Sequence, residues 1–269
     1  MWQLFLYQSS QNPAPHKLIQ QSNTYKPFKQ SDVFHFKQFS IDDTDATMKV
    51  GTDALLLGAL ATPSYVPLRI LDIGTGCGIL ALMMAQRFPN ARIDAIDIDG
   101  KTVEVARRNF NNSPWSDRLN VFHSSLQQFS LNNKGYDLVI SNPPYFSNSL
   151  RNNDPRKRIA RHDDTLPIEQ LFKDSFSILS PYGCIAIIIP FSESSRVISH
   201  ASTNGLRCFS SIAIHNHATD TPKRIVLQFK TNKHSDDKTQ TAENDIILRN
   251  SDNTYTDRYQ NIISPFLLG

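Results

Sequence analysis

The chain has 269 residues, of which 28 are Lys or Arg and 25 are Asp or Glu, giving a formal net charge of +3 at neutral pH. Hydrophobic residues make up 39% and charged residues 20%; this is typical of a globular protein with one large α/β domain, and no apolar run approaches the roughly 20 residues that a membrane helix needs. The 3 cysteines are widely spaced, which favours a reducing cytoplasm over a disulfide framework or a metal site.

The first 30 residues are rich in Gln, Ser, Asn and Pro and show no hydrophobic period. They predict a disordered tail, and the opening MWQLFLYQSS lacks the basic leading region and the cleavage site of a signal peptide. We expect residues 31–269 to form a single domain. Within it, residues 33–41 predict a strand, and Thr52 is a plausible cap for a helix through DALLLGALA.

From residue 69 onward, apolar strands alternate with helices. This alternation predicts a mostly parallel seven-stranded α/β sheet with helices on both faces, and ligands then bind at the carboxyl ends of the strands. Residues 232–244 predict a flexible loop, after which the chain returns to the sheet. The predicted strands are 69–73, 92–97, 119–123, 136–141, 185–189, 209–215 and 224–231, and the predicted helices are 78–87, 101–111, 168–179 and 193–204.

The segment RILDIGTGCGILALMMAQRF, residues 69–88, reads as a strand, a glycine turn and a helix. Glycines let the backbone approach a ligand closely, and Gly74, Gly76 and Gly78 have the spacing GxGxG. Asp97 ends the next apolar strand, where a carboxylate can accept both hydroxyls of a ribose. Glycines alone would indicate a tight turn or a helix cap equally well. The full order of strand, glycine turn, helix, strand and Asp favours a nucleoside site.

Asn142, Pro143, Pro144 and Tyr145 follow the predicted strand at residues 136–141. A residue before proline is pushed towards extended backbone, and two prolines fix successive φ angles and remove two N–H groups. The Asn142 side-chain oxygen and the Pro143 carbonyl are then acceptors suited to a planar amine, and Tyr145 offers a face for stacking. The alternative is a strand followed by a rigid turn. The glycine turn, expected at the same sheet edge, favours the amine site.

The segments DIGTGCG, AIDID and ISNPPYF, in this order, resemble the class I S-adenosylmethionine (SAM) dependent methyltransferases that act on planar nitrogens. Over residues 28–268, the segments FHFKQFSID, MKVGTDALLLGAL, NPPYF and ARHDDTLP are similar to the family of bacterial tRNA1(Val) (adenine(37)-N6)-methyltransferases. The resemblance implies a Rossmann-like class I methyltransferase fold, SAM as cofactor and no metal. It also implies a monomer that methylates the N6 amine of adenosine 37, next to the anticodon of the tRNA.

The resemblance implies roles for residues in the cofactor site. Backbone at Gly74 and Gly76 is expected to approach the amino-acid end of SAM, and Asp97 to hold its ribose. Asp72 would bind backbone N–H groups or the SAM ammonium, or would only order the glycine turn. The other expected cofactor contacts are Lys49, Gly51, Thr52, Asp53 and Asn142, with Gln38 a weaker candidate.

Recognition of the SAM adenine departs from the usual pattern. Related enzymes often have an acidic residue after the third strand, whereas this chain has Ser124 and Ser125. We expect the backbone at Leu126 to serve instead. The segment KVGTD, which resembles the motif that closes over the methionine part of SAM, is also open to interpretation as a turn and helix cap.

A cluster of positive charge follows NPPYF and contains a single acid, Asp154. A solvated loop would also be charged, but this position favours binding of RNA phosphates. By resemblance, Tyr145 and Phe146 bind the target base, while Arg158, Arg161 and His162 bind anticodon-loop phosphates. The cluster consists of Arg151, Arg156, Lys157, Arg158 and Arg161.

Three other functions stay open at this point. The glutamine-amide N5 methyltransferases of release factors also use NPPY, but they usually carry an N-terminal helical domain where this chain has a polar tail. The rRNA guanine-N2 methyltransferases often have Phe in place of Tyr145. A SAM- and RNA-binding scaffold without turnover would be expected to have lost residues such as Asn142 or Asp97.

Overall fold

A computed structural model describes residues 33–45, 49–143, 166–231 and 242–268. Over these residues the chain forms strands and helices that alternate through most of its length. They are β1 (Val33–His35), β2 (Ser40–Asp42), α1 (Thr52–Leu60), β3 (Arg69–Ile73), α2 (Ile79–Arg87), β4 (Arg92–Asp97), α3 (Gly100–Asn111), β5 (Leu119–His123), α4 (Leu126–Asn132), β6 (Tyr136–Ser141), α5 (Ile168–Ile178), β7 (Leu179–Pro190), α6 (Ser194–Thr203), β8 (Leu206–His215), β9 (Arg224–Thr231), β10 (Ala242–Ile247) and α7 (Asp257–Ile263).

Within the described residues, the central sheet has eight strands in the order β10-β8-β9-β7-β6-β3-β4-β5. Only β9 runs antiparallel to its neighbours β7 and β8, and the other neighbouring pairs of this sheet are parallel. The predicted mostly parallel sheet is therefore confirmed, since parallel strands joined by helical crossovers are what the alternating sequence pattern requires.

The predicted number of seven strands was wrong by one. Strand β10 pairs in parallel with β8 and begins at Ala242, inside the stretch for which the sequence predicts a loop. Its first four residues, AEND, do not alternate between apolar and polar. An edge strand needs backbone hydrogen bonds to a single neighbour, so it can form from such polar residues.

The predicted first strand is instead the hairpin of β1 and β2, which forms a separate two-stranded antiparallel sheet. Phe36 N–H donates to the Phe39 carbonyl at 2.8 Å and closes its turn. Phe36, Phe39 and Ile41 are buried and hold the hairpin against the domain. A continuous strand was predicted because residues 33–41 largely alternate between apolar and polar, and this alternation does not reveal the turn from Phe36 to Phe39.

Other element boundaries also moved. Helix α5 ends at Ile178, and β7 starts at Leu179, six residues before the predicted strand. The first four residues of β7 are half-buried or exposed and therefore lack the apolar pattern of a buried strand. Leu179 nevertheless pairs with Tyr136, before a register shift. Helix α4 was not predicted; Ser125 caps it by accepting a hydrogen bond from Gln128 N–H at 3.2 Å. Thr52 is the first residue of α1 rather than its cap, which is Gly51.

Two hydrophobic clusters cover the two faces of the sheet. Consecutive strand residues point to opposite faces, so that Ile70 belongs to one cluster and its neighbour Leu71 to the other. The first cluster contains residues of α1, α2, α3 and α7, and the second contains residues of α4, α5 and α6. This arrangement confirms helices on both faces and leaves the strand ends free to carry loops.

None of the described helices has the length and apolar character needed to cross a membrane. Cys77, Cys184 and Cys208 form no disulfide bond with one another, and the first two are buried. Within the described ranges, no group of three or more His, Cys, Asp and Glu side chains is placed to hold a metal ion.

Candidate active site

The carboxyl ends of four neighbouring strands bring the candidate residues to one edge of the sheet. Ile73 at the end of β3 pairs with Ile96 of β4 on one side and with Ser141 of β6 on the other. Asp97 pairs with His123, the last residue of β5. The glycine turn, Asp97, the start of α4 and Asn142 therefore follow adjacent strand ends, where parallel sheets bind ligands.

The glycine turn has backbone that only glycine adopts readily. Gly74, Gly76 and Gly78 have φ values of +68°, +58° and +89°, in the left-handed region. A Cβ added at Gly74 would meet no atom within 4 Å, whereas one at Gly78 would lie 2.5 Å from Cε1 of Phe110. Gly74 thus borders open space, and Gly78 allows α3 to pack closely against the turn.

Asp97 connects the glycine turn to the next loop. Its Oδ2 accepts a hydrogen bond from Gly76 N–H and its Oδ1 accepts one from Asp99 N–H, both at 3.0 Å. Its main-chain carbonyl accepts from Ser124 N–H at 3.0 Å. Each carboxylate oxygen has a further lone pair, so this half-buried side chain can accept two more donors.

Asp72 lies beneath the turn and is fully buried. Its Oδ2 accepts hydrogen bonds from Thr75 Oγ1 at 2.6 Å and from Ala81 N–H at 3.2 Å, while its Oδ1 is buried without a hydrogen-bond partner among the described residues. Burial raises the pKa of Asp72 to about 7, against the lowering effect of these two hydrogen bonds. These contacts are those of a residue that orders the glycine turn.

The segment before α1 has two polar connections. Val50 N–H donates to Oδ2 of Asp43 at 2.9 Å. Oδ2 of Asp53 accepts from Nε of Arg224, the first residue of β9, at 2.8 Å, a contact that the sequence analysis did not predict. Lys49 is exposed. The Arg224 guanidinium thus partly neutralises Asp53, so that Asp53 presents less negative charge to a ligand.

The start of α4 and the end of β4 face the same edge. Leu126 is the first residue of α4, and the first N–H groups of a helix have no acceptor within the helix. Ile98, directly after Asp97, leaves 49% of its surface exposed. Ile98 was not predicted as a site residue, although its position as an apolar residue directly after a strand-ending carboxylate could have indicated it.

Asn142 and Pro143 are half-buried and follow β6 directly. The preceding Ser141 is buried, and its Oγ donates to the Ile73 carbonyl at 2.8 Å. This bond fixes the end of β6 to the end of β3. Asn142 therefore begins its loop one residue after a paired position, as Gly74 does on the neighbouring strand.

The chain is similar in sequence to known proteins. Residues 38–190 match the family model described as the methyltransferase small domain. The tRNA1(Val) (adenine(37)-N6)-methyltransferases of Flavobacterium psychrophilum and Pedobacter heparinus are 37% and 38% identical to this chain over 88% of its length and 99% and 98% of theirs. The chain belongs to this methyltransferase family. The protein of that name from Bacteroides fragilis is 37% identical over 87% of this chain and 97% of its own.

A solved structure shows the fold of this methyltransferase independently. A predicted O-methyltransferase from Agrobacterium tumefaciens covers 80% of this chain and 96% of its own with a TM-score of 0.60, at 18% sequence identity. At this identity the likeness concerns the fold alone. It confirms the Rossmann-like methyltransferase fold that the sequence predicts.

Part of the expected site of this methyltransferase lies outside the described residues. This applies to the expected substrate-binding residues and to the basic segment after NPPYF. Gln38 is described: it is exposed in the turn between β1 and β2 and lines a cavity of about 430 Å³ together with Arg108 and Asn112 of the α3 end. The NPPY and substrate-binding residues that lie outside the described ranges are Pro144, Tyr145, Phe146, Arg158, Arg161 and His162.

The buried carboxyl of Asp72 should make the stability of this methyltransferase depend on pH. Its pKa in the folded state, about 7, lies above the ordinary value of 3.8. The folded state therefore retains a proton that the unfolded state loses, and the contribution of Asp72 to stability falls as pH rises from about 4 to about 7. Asp72→Asn cannot ionise, and its amide oxygen can still accept from Thr75.

We expect the free energy of unfolding of wild type, relative to Asp72→Asn, to be about 2–3 kcal/mol higher at pH 5 than at pH 8. Urea unfolding at both pH values measures this difference. The exposed Asp117→Asn is the control and should show no such change. A wild-type advantage that does not vary with pH would contradict the prediction.

Proposed function

We propose that this protein uses SAM to methylate the exocyclic N6 amine of adenosine 37 in tRNA1(Val). The observation that carries the proposal is the pairing of Ile73 with Ser141, after which the glycine turn and Asn142 begin on adjacent strands. A site for a nucleoside cofactor and a site for a planar amine then share one edge of the sheet. The identity of 37% to proteins named for this reaction supports the choice of substrate.

The described residues fit SAM. The open space beside Gly74 leaves room for a ligand against the backbone. Asp97 has lone pairs left for two ribose hydroxyls, and exposed Ile98 offers an apolar surface to an adenine ring. The N–H of Leu126 would hold the edge of that ring, and the segment of Lys49, Gly51 and Thr52 would close over the amino-acid end. When bound, SAM supplies an electrophilic methyl group.

Asn142 and Pro143 would prepare the amine for reaction. The lone pair of the adenine amine is delocalised into the ring, which makes the nitrogen a poor nucleophile. Hydrogen bonds from its two N–H groups to Asn142 Oδ1 and the Pro143 carbonyl favour a tetrahedral nitrogen with a localised lone pair. Tyr145 would hold the ring by stacking, worth about 1–3 kcal/mol per base. The nitrogen that has received the methyl group is positively charged and acidic, so it releases its proton to water without a dedicated base. Catalysis then depends on positioning and electrostatics.

The basic residues after NPPYF would hold the RNA. Arg158, Arg161 and His162 would contact phosphates of the anticodon loop, so that binding weakens as salt is added. Adenosine 37 lies in a loop, where a base costs less to extrude from its stack than in a duplex. We expect the protein to act on this RNA in the cytoplasm, as a monomer.

One experiment separates this function from its alternatives. The protein is incubated with methyl-labelled SAM and, separately, with unmodified tRNA1(Val), the same transcript carrying guanosine at position 37, ribosomes and release factors. We expect label only in the first tRNA, recovered as N6-methyladenosine. Label in rRNA or release factor alone would contradict the tRNA function, and SAM binding without transfer to any of them would indicate a scaffold.

A further inference from the structure

Asn109 on α3 is a buried amide whose hydrogen bonds all go to main-chain groups of other segments. It is 2% exposed. Its Oδ1 accepts from Asp42 N–H at 3.0 Å, and its Nδ2 donates to the Asp42 carbonyl at 3.0 Å and to the Cys77 carbonyl at 2.8 Å. One side chain thereby joins the end of β2 to the glycine turn.

The two hydrogen bonds between the Asn109 side chain and Asp42 resemble those of a neighbouring β-strand. The amide gives Asp42 both a donor and an acceptor, as a paired backbone residue would, and uses its second N–H on Cys77. The next residue of α3, Phe110, packs at Gly78, where an added Cβ would lie 2.5 Å from its ring. Two consecutive residues of α3 therefore hold the glycine turn, one by polar contacts and one by packing.

Close packing is incomplete where the hairpin meets α3. The cavity of about 430 Å³ lies there, and Asn109 is part of its lining, together with Phe36 and Gln38 from the hairpin and Arg108 from α3. Directional hydrogen bonds, which fix distance and orientation, take on a larger share of positioning where side chains do not interdigitate.

A further hydrogen bond connects the hairpin to the segment before α1. Asp43, next to the residue that Asn109 holds, accepts the N–H of Val50 at 2.9 Å. Val50 precedes Gly51, the N-cap of α1. A continuous chain of contacts thus runs from Cys77 in the glycine turn through Asn109, Asp42 and Asp43 to Val50.

We propose that Asn109 is a positioning residue for cofactor binding: through Asp42 and Asp43 it sets the spacing between the glycine turn and the segment that includes Lys49, Gly51 and Thr52. The inference rests on the proposed function in taking these two segments as the sides of the SAM site. Asn109 itself does not touch the cofactor. Its loss should raise the Kd and KM for SAM without a comparable loss of kcat at saturating SAM.

The first test compares Asn109→Ala with Asn111→Ala, an exposed asparagine two positions along the same helix. SAM binding is measured by calorimetry, kcat and KM by methyl transfer, and Tm without ligand. We expect Asn109→Ala to raise the Kd and KM for SAM about tenfold or more, because buried main-chain groups lose their partners, and kcat to stay within about threefold. Asn111→Ala should match wild type. A lowered Tm with unchanged Kd for SAM would overturn the positioning role.

The second test uses Asp43 and stays informative if Asn109→Ala fails to fold. Asp43 is only half-buried, and its side chain takes no part in the hydrogen bonds of Asn109. Asp43→Ala should weaken SAM binding, and Asp43→Asn should restore it because the amide oxygen can accept from Val50 N–H. Equal SAM affinity for the two variants would overturn the inference. Wild-type protein that does not bind SAM would instead overturn the proposed function.

Discussion

Replacing Asn142 with Ala is expected to lower the kcat of methyl transfer by about 10²–10³-fold, the usual effect of removing one preorganised polar group that acts in the transition state. Asn142 follows β6 directly, at the same edge as the glycine turn. Its acceptor oxygen is needed when the amine becomes tetrahedral, whereas SAM is held mainly by neighbouring strands. Single-turnover methyl transfer to tRNA measures the loss, and calorimetry should show SAM affinity within a few-fold of wild type.

Two further variants make this prediction specific. Asn142→Asp keeps oxygen acceptors for the amine and should retain more activity than Asn142→Ala. Asn132→Ala changes an exposed asparagine at the end of α4 and should behave as wild type. Full turnover by Asn142→Ala with normal SAM binding would show that the amine is activated by other groups.

Local sequence was sufficient for the part of the fold that carries the cofactor side of the site. Strand β3, the glycine turn and α2 form one continuous segment with an apolar run, a GxGxG spacing and a second apolar run, and each of these has a local physical meaning. The position of Asp97 at a strand end was predicted because the next apolar run ends at this residue. Because the two strands are parallel, the glycine turn and Asp97 lie at the same edge of the sheet.

Elements without a local apolar pattern could not be predicted in this way. Helix α4 has only 7 residues, of which Leu126 and Phe129 pack in the second hydrophobic cluster. Strand β10 begins with polar residues and depends on pairing with β8. In both, contacts with the rest of the protein decide the structure, and propensity alone is a weak indicator.

The polar contacts that support the site were also invisible in the sequence. Asn109 lies 67 residues from Asp42 and 32 residues from Cys77, with which it bonds. Asp53 and Arg224 are 171 residues apart. The sequence left two roles open for Asp72, and only its complete burial and its bonds to Thr75 and Ala81 favour the ordering role. Burial and long-range pairing depend on topology, which a single segment does not encode.

Replacing Asp97 with Ala is expected to weaken SAM binding at least about 100-fold, because hydrogen bonds to a charged group are each worth about 1.5–3 kcal/mol. The variant loses the expected contacts to the ribose hydroxyls and also the bonds that Gly76 N–H and Asp99 N–H make with the carboxylate. Calorimetry with SAM measures the sum of both effects. Asp97→Asn, which keeps one acceptor oxygen, should lie between wild type and Asp97→Ala.

A thermodynamic cycle separates the two effects of Asp97. S-adenosylhomocysteine and its analogue without ribose hydroxyls are titrated into wild type and Asp97→Ala. In wild type the analogue should bind more weakly, because the carboxylate loses its ribose partners. In Asp97→Ala this difference should largely disappear, since the coupling energy between the hydroxyls and the carboxylate is already lost. An equal penalty for the analogue in both proteins would mean that Asp97 acts only by ordering the glycine turn, and that the ribose is held elsewhere.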